Sequence, residues 1–179
     1  DTAERMRMVF NAGNLYSALP LIYEELGQFG TGCALLEFDR EDVIRLYTLT
    51  TGEYYLGLDY RGRVDTLARR FMYTYRQIEQ RWPNHGIAEI TAKAKSAEAD
   101  TEIAIMHMIE PNPKVQKGRL DWAGKAFRSV YWREGSAQAD GEFIHRSGYS
   151  RFPVLVPRWK PIENEAYSQG PGHDSLQIG

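Results

Sequence analysis

Leu15, Leu19, Ile22, Leu26 and Phe29 recur at spacings of three and four, and then Gly27, Gly30 and Gly32 break that period and release the chain into the apolar run CALLEF. A helix burying one stripe is thus followed at once by a strand, so the chain must mix the two kinds of element. Asn14 is placed to cap this helix, and Pro20 inside it predicts a kink or a late start, so residues 3–28 read as two helical pieces. Asp39-Arg40-Glu41-Asp42 reads as a hairpin tip, with further turns at Thr51-Gly52 and Arg61-Gly62, and residues 33–73 therefore read as a four-stranded antiparallel meander. Thr74 is then a candidate N-cap for YRQIEQRW, which Pro83 stops, and the Ala-rich residues 86–99 read as a second short helix. EIAIMHMIE is apolar on both faces, as a strand inside a sheet would be, and the polar stretch PNPKVQKGRLDWAGK leads to strands near FRSVYWRE, GEFIHRSG and FPVLVPRW. There is no repeat, low-complexity tract or linker. The expectation is one α+β domain over residues 1–179: N-terminal helices plus an antiparallel meander, two short middle helices, and further antiparallel strands.

Composition narrows the function classes. With 179 residues, 42% hydrophobic and 26% charged, the chain matches an ordinary globular protein able to bury a core without staples. No apolar run approaches the roughly 20 residues that span a bilayer, and no leader opens the chain, which predicts a soluble, unexported protein. Cys33 is the only cysteine, so neither an intrachain disulfide nor a thiolate cluster can form, and a reducing compartment fits. A net charge of −2 argues against tight, nonspecific nucleic-acid binding, leaving only weak or local contact. The opening DTAERMRMVF lacks an initiator methionine. Beyond Pro171-Gly172, HDSLQIG offers Asp174 or Ser175 as a cap with little helix after it, so a piece of a longer chain is expected.

Candidate chemistry is sparse. The glycines of residues 27–32 follow a helix instead of a strand, the wrong order for a dinucleotide loop. His85, His107, His145 and His173 fall in separate elements without paired spacing, so no metal site is expected, and His107 reads as a satisfied core histidine. The acids between Asp39 and Asp42 lack the alternating ligands of a calcium loop. Ser168, Ser175 and the His173-Asp174 pair lack the strained elbow that exposes a nucleophilic serine, and Cys33 reads as buried and inert. No catalytic residue, metal or cofactor is expected. One basic stretch remains. Lys114, Lys117, Arg119, Lys125 and Arg128 are interleaved with Trp122, Phe127, Tyr131 and Trp132, a composition that either grips phosphates weakly or is a solvated loop entering a core strand.

Five segments taken in order carry a resemblance. FGTGCALLEF, then GEYYLGLDYRGRVDTLARRFMYTYRQIEQRW, then HMIEPNP, SVYWRE and GYSRFPVLVPRWKPIENEAYSQGPG are together similar to the bacteriophage head-to-tail connecting (portal) proteins of podovirus type. Gly62, Arg63, Asp65, Arg76, Gln77, Pro157, Arg158, Trp159, Tyr167, Pro171 and Gly172 stand in the order of that family's signature. Ser168 departs from it, since the family usually has glycine there, and the loop is expected to turn differently. The resemblance implies a structural subunit, here its wing region without stem, clip or crown, of a ring of about twelve copies. Through such a ring double-stranded DNA is packaged and ejected, and it docks terminase, capsid or scaffold, and tail proteins at a capsid vertex, after assembly in the host cytoplasm. Arg158, Trp159 and Lys160 become candidates for bracing the exit strand or touching a neighbouring subunit, and Lys114, Lys117, Arg119 and Lys125 for weak DNA contact. The other readings are a soluble nucleic-acid-binding adaptor using Lys114 to Arg133, and a small hydrolase or transferase.

Overall fold

The structure is a computed structural model that describes residues 1–136 and 143–176. The chain divides into two compact units, one formed by Asp1–Asp65 with the segment from Pro153 onward, the other by Thr66–Phe152. Helices and antiparallel sheets together make the α+β fold that the periodicities predict.

In the first unit, α1 (Thr2–Ala12) is capped by the Asp1 carboxylate and closed at Gly13, and α2 (Leu15–Phe29) follows directly. The expected two helical pieces are present, but they part at Gly13-Asn14, and Pro20 lies inside α2 without ending it. Asn14 occupies the N-cap position without capping. Its amide instead clasps Leu46, donating to the carbonyl at 2.7 Å and accepting from the N–H at 2.8 Å, which ties the helix start to a strand. That strand is β2 (Val43–Leu49), paired antiparallel with β1 (Cys33–Asp39) from Cys33↔Leu49 to Asp39↔Val43. Ala18 and Ile22 of α2 pack on Ala34 and Leu46 with Leu15, Leu19 and Leu36 around them, so the apolar stripe of α2 is buried against this sheet. At the hairpin tip Asp39 Oδ1 accepts from the N–H groups of Glu41 at 2.8 Å and Asp42 at 2.9 Å.

The four strands of the predicted meander exist, yet β2 and β3 (Tyr54–Leu58) belong to different sheets. The cause lies at Thr51, whose N–H and hydroxyl both donate to the Glu25 carboxylate of α2 at 3.0 and 2.7 Å, so the turn is tied to the helix and does not fold β3 back on β2. After β3, the Asp59 carboxylate holds the Arg61 and Arg63 N–H groups at 2.8 and 2.9 Å around Gly62, whose φ of 73° suits glycine.

In the second unit, β4 (Val64–Thr74), β5 (Glu102–Pro111), β6 (Phe127–Arg133) and β7 (His145–Tyr149) lie side by side in that order, all antiparallel. β5 is interior, as its two apolar faces predict. Thr74 forms a capping box with Gln77 at the start of α3 (Tyr75–Arg81). α4 (Ala88–Ala94) is shorter than the Ala-rich stretch suggests, because the Ser96 hydroxyl donates to the Lys93 carbonyl at 2.9 Å and accepts from the Glu98 N–H at 3.1 Å, offering the backbone a turn in place of another helical step. Both helices cover one sheet face through a core of Tyr75, Ile78, Trp82, Ile90, Ile105, Tyr131 and Ile144. His107 sits on that face, fully buried.

Candidate functional site

The segment from Pro153 to Gly172 straps the end of α2 and the start of β1. It runs antiparallel to β1: Leu36 N–H donates to Pro153 O at 2.9 Å, Val154 and Leu155 (β8) pair with Leu35 and Ala34, Gly32 N–H donates to Pro157 O at 3.1 Å, and Trp159 N–H donates to Gly30 O at 2.9 Å. Pro153 and Pro157 have no N–H to give, so the strap accepts on alternate residues and can form only an edge. This is why FPVLVPRW yields a two-residue strand. Gly30, at φ 78°, ends α2, and a Cβ there would overlap the backbone of Ser168, Gln169 and Gly170, so helix end and strap meet backbone on backbone.

Ser168 locks the return of the strap. Its N–H donates to Thr31 Oγ1 at 2.8 Å, its hydroxyl donates to the Gly30 carbonyl and also accepts from Trp159 N–H at 3.2 Å, and both Ser168 and Thr31 are buried. Lys160–Pro161 (β9) and Ser168–Gln169 (β10) pair antiparallel to close the loop between them. Tyr167 adds a second tie, its phenol donating to Tyr54 O and accepting from Leu56 N–H, each at 3.2 Å. Burial pushes the Tyr167 phenol above its ordinary pKa, opposed by the Leu56 bond. Sequence reading singled out Tyr167 by resemblance and Ser168 as a departure. Thr31 it missed, since a threonine beside a helix-ending glycine carries no periodic signal.

Of the three strap residues expected to matter, Arg158 donates from its guanidinium to Glu165 O at 3.1 Å and Gly62 O at 3.4 Å. Lys160 forms an exposed ion pair with Asp174 at 2.8 Å. Trp159 leaves 53% of its surface in solvent. Beside Arg158 opens a cleft of about 430 Å³ lined by Tyr60, Arg61, Pro161, Ile162 and Glu163. In α5 (Pro171–Leu176), His173 accepts from Gly170 N–H, Asp174 belongs to Lys160, and Ser175 donates to the Gly172 carbonyl, so the residues weighed as a nucleophile set are not joined.

The basic stretch is divided by the fold. Lys114 and Lys117 are exposed in the β5–β6 connection, Arg119 is held by Asp121 at 2.9 Å, and Lys125 is half-buried beside Gly148. Arg119 keeps the Asp121 carboxyl below its ordinary range. Tyr131 and Trp132 are buried in β6 and Phe127 is half-buried, whereas Trp122 is 39% exposed under Arg146.

Two histidines are enclosed by partners in the second unit. His107 Nδ1 accepts from Arg69 Nε at 3.0 Å, so Nε2 carries the proton and donates to Ser129 Oγ at 2.9 Å, while the ring stacks on Tyr131 at 3.8 Å. Burial, then the charge of Arg69, holds its pKa well below the ordinary value. His85 Nδ1 accepts from Ile87 N–H at 2.8 Å, leaving Nε2–H for Glu79 at 2.9 Å, and Thr91 donates to the same carboxylate at 3.0 Å, clamping α3 to α4. Among the described residues no group of three His, Cys, Asp or Glu side chains could hold a metal ion, and no helix is long and apolar enough to cross a membrane.

The family model of the bacteriophage head to tail connecting protein matches residues 1–177. The chain belongs to that family. It is 36% identical over 92% of its length to the portal protein of Salmonella phage epsilon15, and 31% identical over 96% to a probable portal protein of Bordetella phage BPP-1. The chain spans 29% and 31% of the lengths of those two relatives.

Proposed function

We propose that this chain is a structural part of a phage portal: a wing-like segment of a head-to-tail connector with no catalytic step of its own. The observation that carries the reading is the family match across residues 1–177, joined by relatives that are named as portal proteins. In this reading the full-length protein closes into a ring of about twelve copies at a capsid vertex of the virion. Double-stranded DNA passes through the ring during packaging and ejection, terminase, capsid or scaffold, and tail proteins dock on it, and assembly takes place in the host cytoplasm. A net charge of −2 suits such a channel, since many paired cations would bind phosphates strongly and stall the DNA. Lys114, Lys117 and Lys125 are then the candidates for weak, salt-sensitive DNA contact, with Arg119 contributing less because Asp121 already engages it.

Within this assembly Arg158 braces the strap from inside, and the half-exposed Trp159, with Lys160 beside it, faces a neighbouring subunit. Trp159→Ala in the full-length protein tests this. The expected outcome is an unchanged melting temperature with impaired ring formation; a variant that folds and assembles like the parent removes Trp159 from the interface.

A further inference from the structure

The first unit carries a knob and a cleft of matching chemistry at opposite ends of one strand. The knob is the β1–β2 tip. Phe38 is 79% exposed and Val43 47% exposed, flanked by the carboxylates of Glu41 and Asp42; Arg40 is exposed beside them and Arg45 lies 4.0 Å from Asp42, so with Asp39 the tip keeps a net charge of −1. Asp39 fixes the turn between them, so the apolar side chains are presented on a closed, hydrogen-bonded loop. Val43 holds φ at 70°, a conformation that β-branched residues rarely adopt. Such strain persists where the surrounding structure or a binding role maintains it.

The cleft lies beyond the other end of β1, where Thr31 bridges Arg158. Tyr60, Pro161 and Ile162 supply an apolar lining within its roughly 430 Å³. Arg61 stands over the Tyr60 ring at 5.0 Å with its Nε bonded to the phenol at 2.6 Å, and Arg158 is held by two carbonyls. Neither guanidinium is paired with a carboxylate among the described residues, and the lining acid, Glu163, leaves the lining net positive. The seven residues of β1 place tip and cleft roughly 20 Å apart along the strand, so the two features cannot meet within one copy.

We propose that the hairpin tip of one copy seats in this cleft of the next, Phe38 entering between Tyr60 and Ile162 while Glu41 and Asp42 face Arg61 and Arg158. The occupant is a second copy because knob and socket, one apolar and acidic, the other apolar and basic, are both present on this chain. A contact joining two different surfaces is heterologous, and its repetition makes a ring or an open filament. The inference rests on the oligomeric portal reading above.

The test uses the full-length protein in a background free of other accessible cysteines, carrying Phe38→Cys with Ile162→Cys, treated with a short bis-maleimide. The double variant is expected to give a ladder rising beyond the dimer, and each single variant no ladder. Rings that form without a ladder overturn this contact and leave the portal reading standing. A parent full-length protein that itself stays monomeric overturns both. Phe38→Ser with Arg61→Glu is the second measurement, both sites being exposed: the concentration for half-assembly should rise tenfold or more with the melting temperature unchanged. Unaltered assembly overturns the proposal.

Discussion

Single side chains close most of the strap, and Ser168 shows how much one hydroxyl can carry. It serves the Gly30 carbonyl and the Trp159 N–H at once, in a place from which water is excluded. Ser168→Ala should therefore cost about 1 kcal/mol in denaturant unfolding, since the hydroxyl's bonds are lost while the Trp159 N–H still serves the Gly30 carbonyl. Thr31→Val should cost a similar amount, and the double variant less than the sum, because the two side chains share one network. His107 sets a pH dependence. Held neutral by burial and by Arg69, with Arg81 and His145 as the other charged or titratable neighbours, it keeps a folded pKa below the unfolded value of about 6.5. Its contribution is full above about pH 6.5 and declines as the pH falls below that, because the unfolded chain takes up the proton first. Melting temperatures measured from pH 7.5 to 5.5 should fall, and His107→Gln should flatten that fall. Glu79, whose carboxyl is held low chiefly by His85, acts in a separate and more acidic window, losing its contribution only as the pH falls through its lowered folded pKa.

At the scale of elements, what was legible in the sequence was what local chemistry decides. Thr74 as N-cap with Pro83 as the stop marked α3, the spacing of Leu15, Leu19 and Ile22 marked the buried face of α2, and the double apolar character of EIAIMHMIE placed β5 inside a sheet. The shortfalls came from long-range polar ties that leave no period. Glu25 reaching Thr51 separates β2 from β3, Asn14 abandons its cap for Leu46, and Ser96 shortens α4. The strap was legible as an extended path from its prolines, but its lock depends on residues 137 positions apart, Thr31 and Ser168. The cleft beside Arg61 was invisible for the same reason. Two element-scale outcomes follow. Thr74→Ala removes the capping box and should cost about 1 kcal/mol in thermal or urea unfolding. Val43→Asn relieves a left-handed β-branched residue and should raise stability by about 1 kcal/mol, while leaving Phe38 available at the tip.

For the whole molecule, the distribution of polar groups points to assembly. Ser175 bonds the nearby Gly172 carbonyl and Ser168 the distant Gly30 carbonyl, the enclosed histidines have their ring nitrogens bonded to neighbours, and in the proposed assembly the exposed aromatics and the guanidiniums of the cleft face another copy. DNA binding is expected to be a minor part of the function. Charge-neutralising changes at Lys114 and Lys117 should weaken DNA retention mainly at low salt, and the salt slope should fall by roughly one unit for each phosphate that is no longer neutralised. A fluorescence-anisotropy titration over salt would read that slope. The central claim is that this chain is part of a ring-forming portal. The most direct measurement is mass by light scattering after size exclusion, on these 179 residues and on the full-length protein. A full-length species of about twelve subunits is the predicted result; a full-length protein that remains monomeric or dimeric would contradict it.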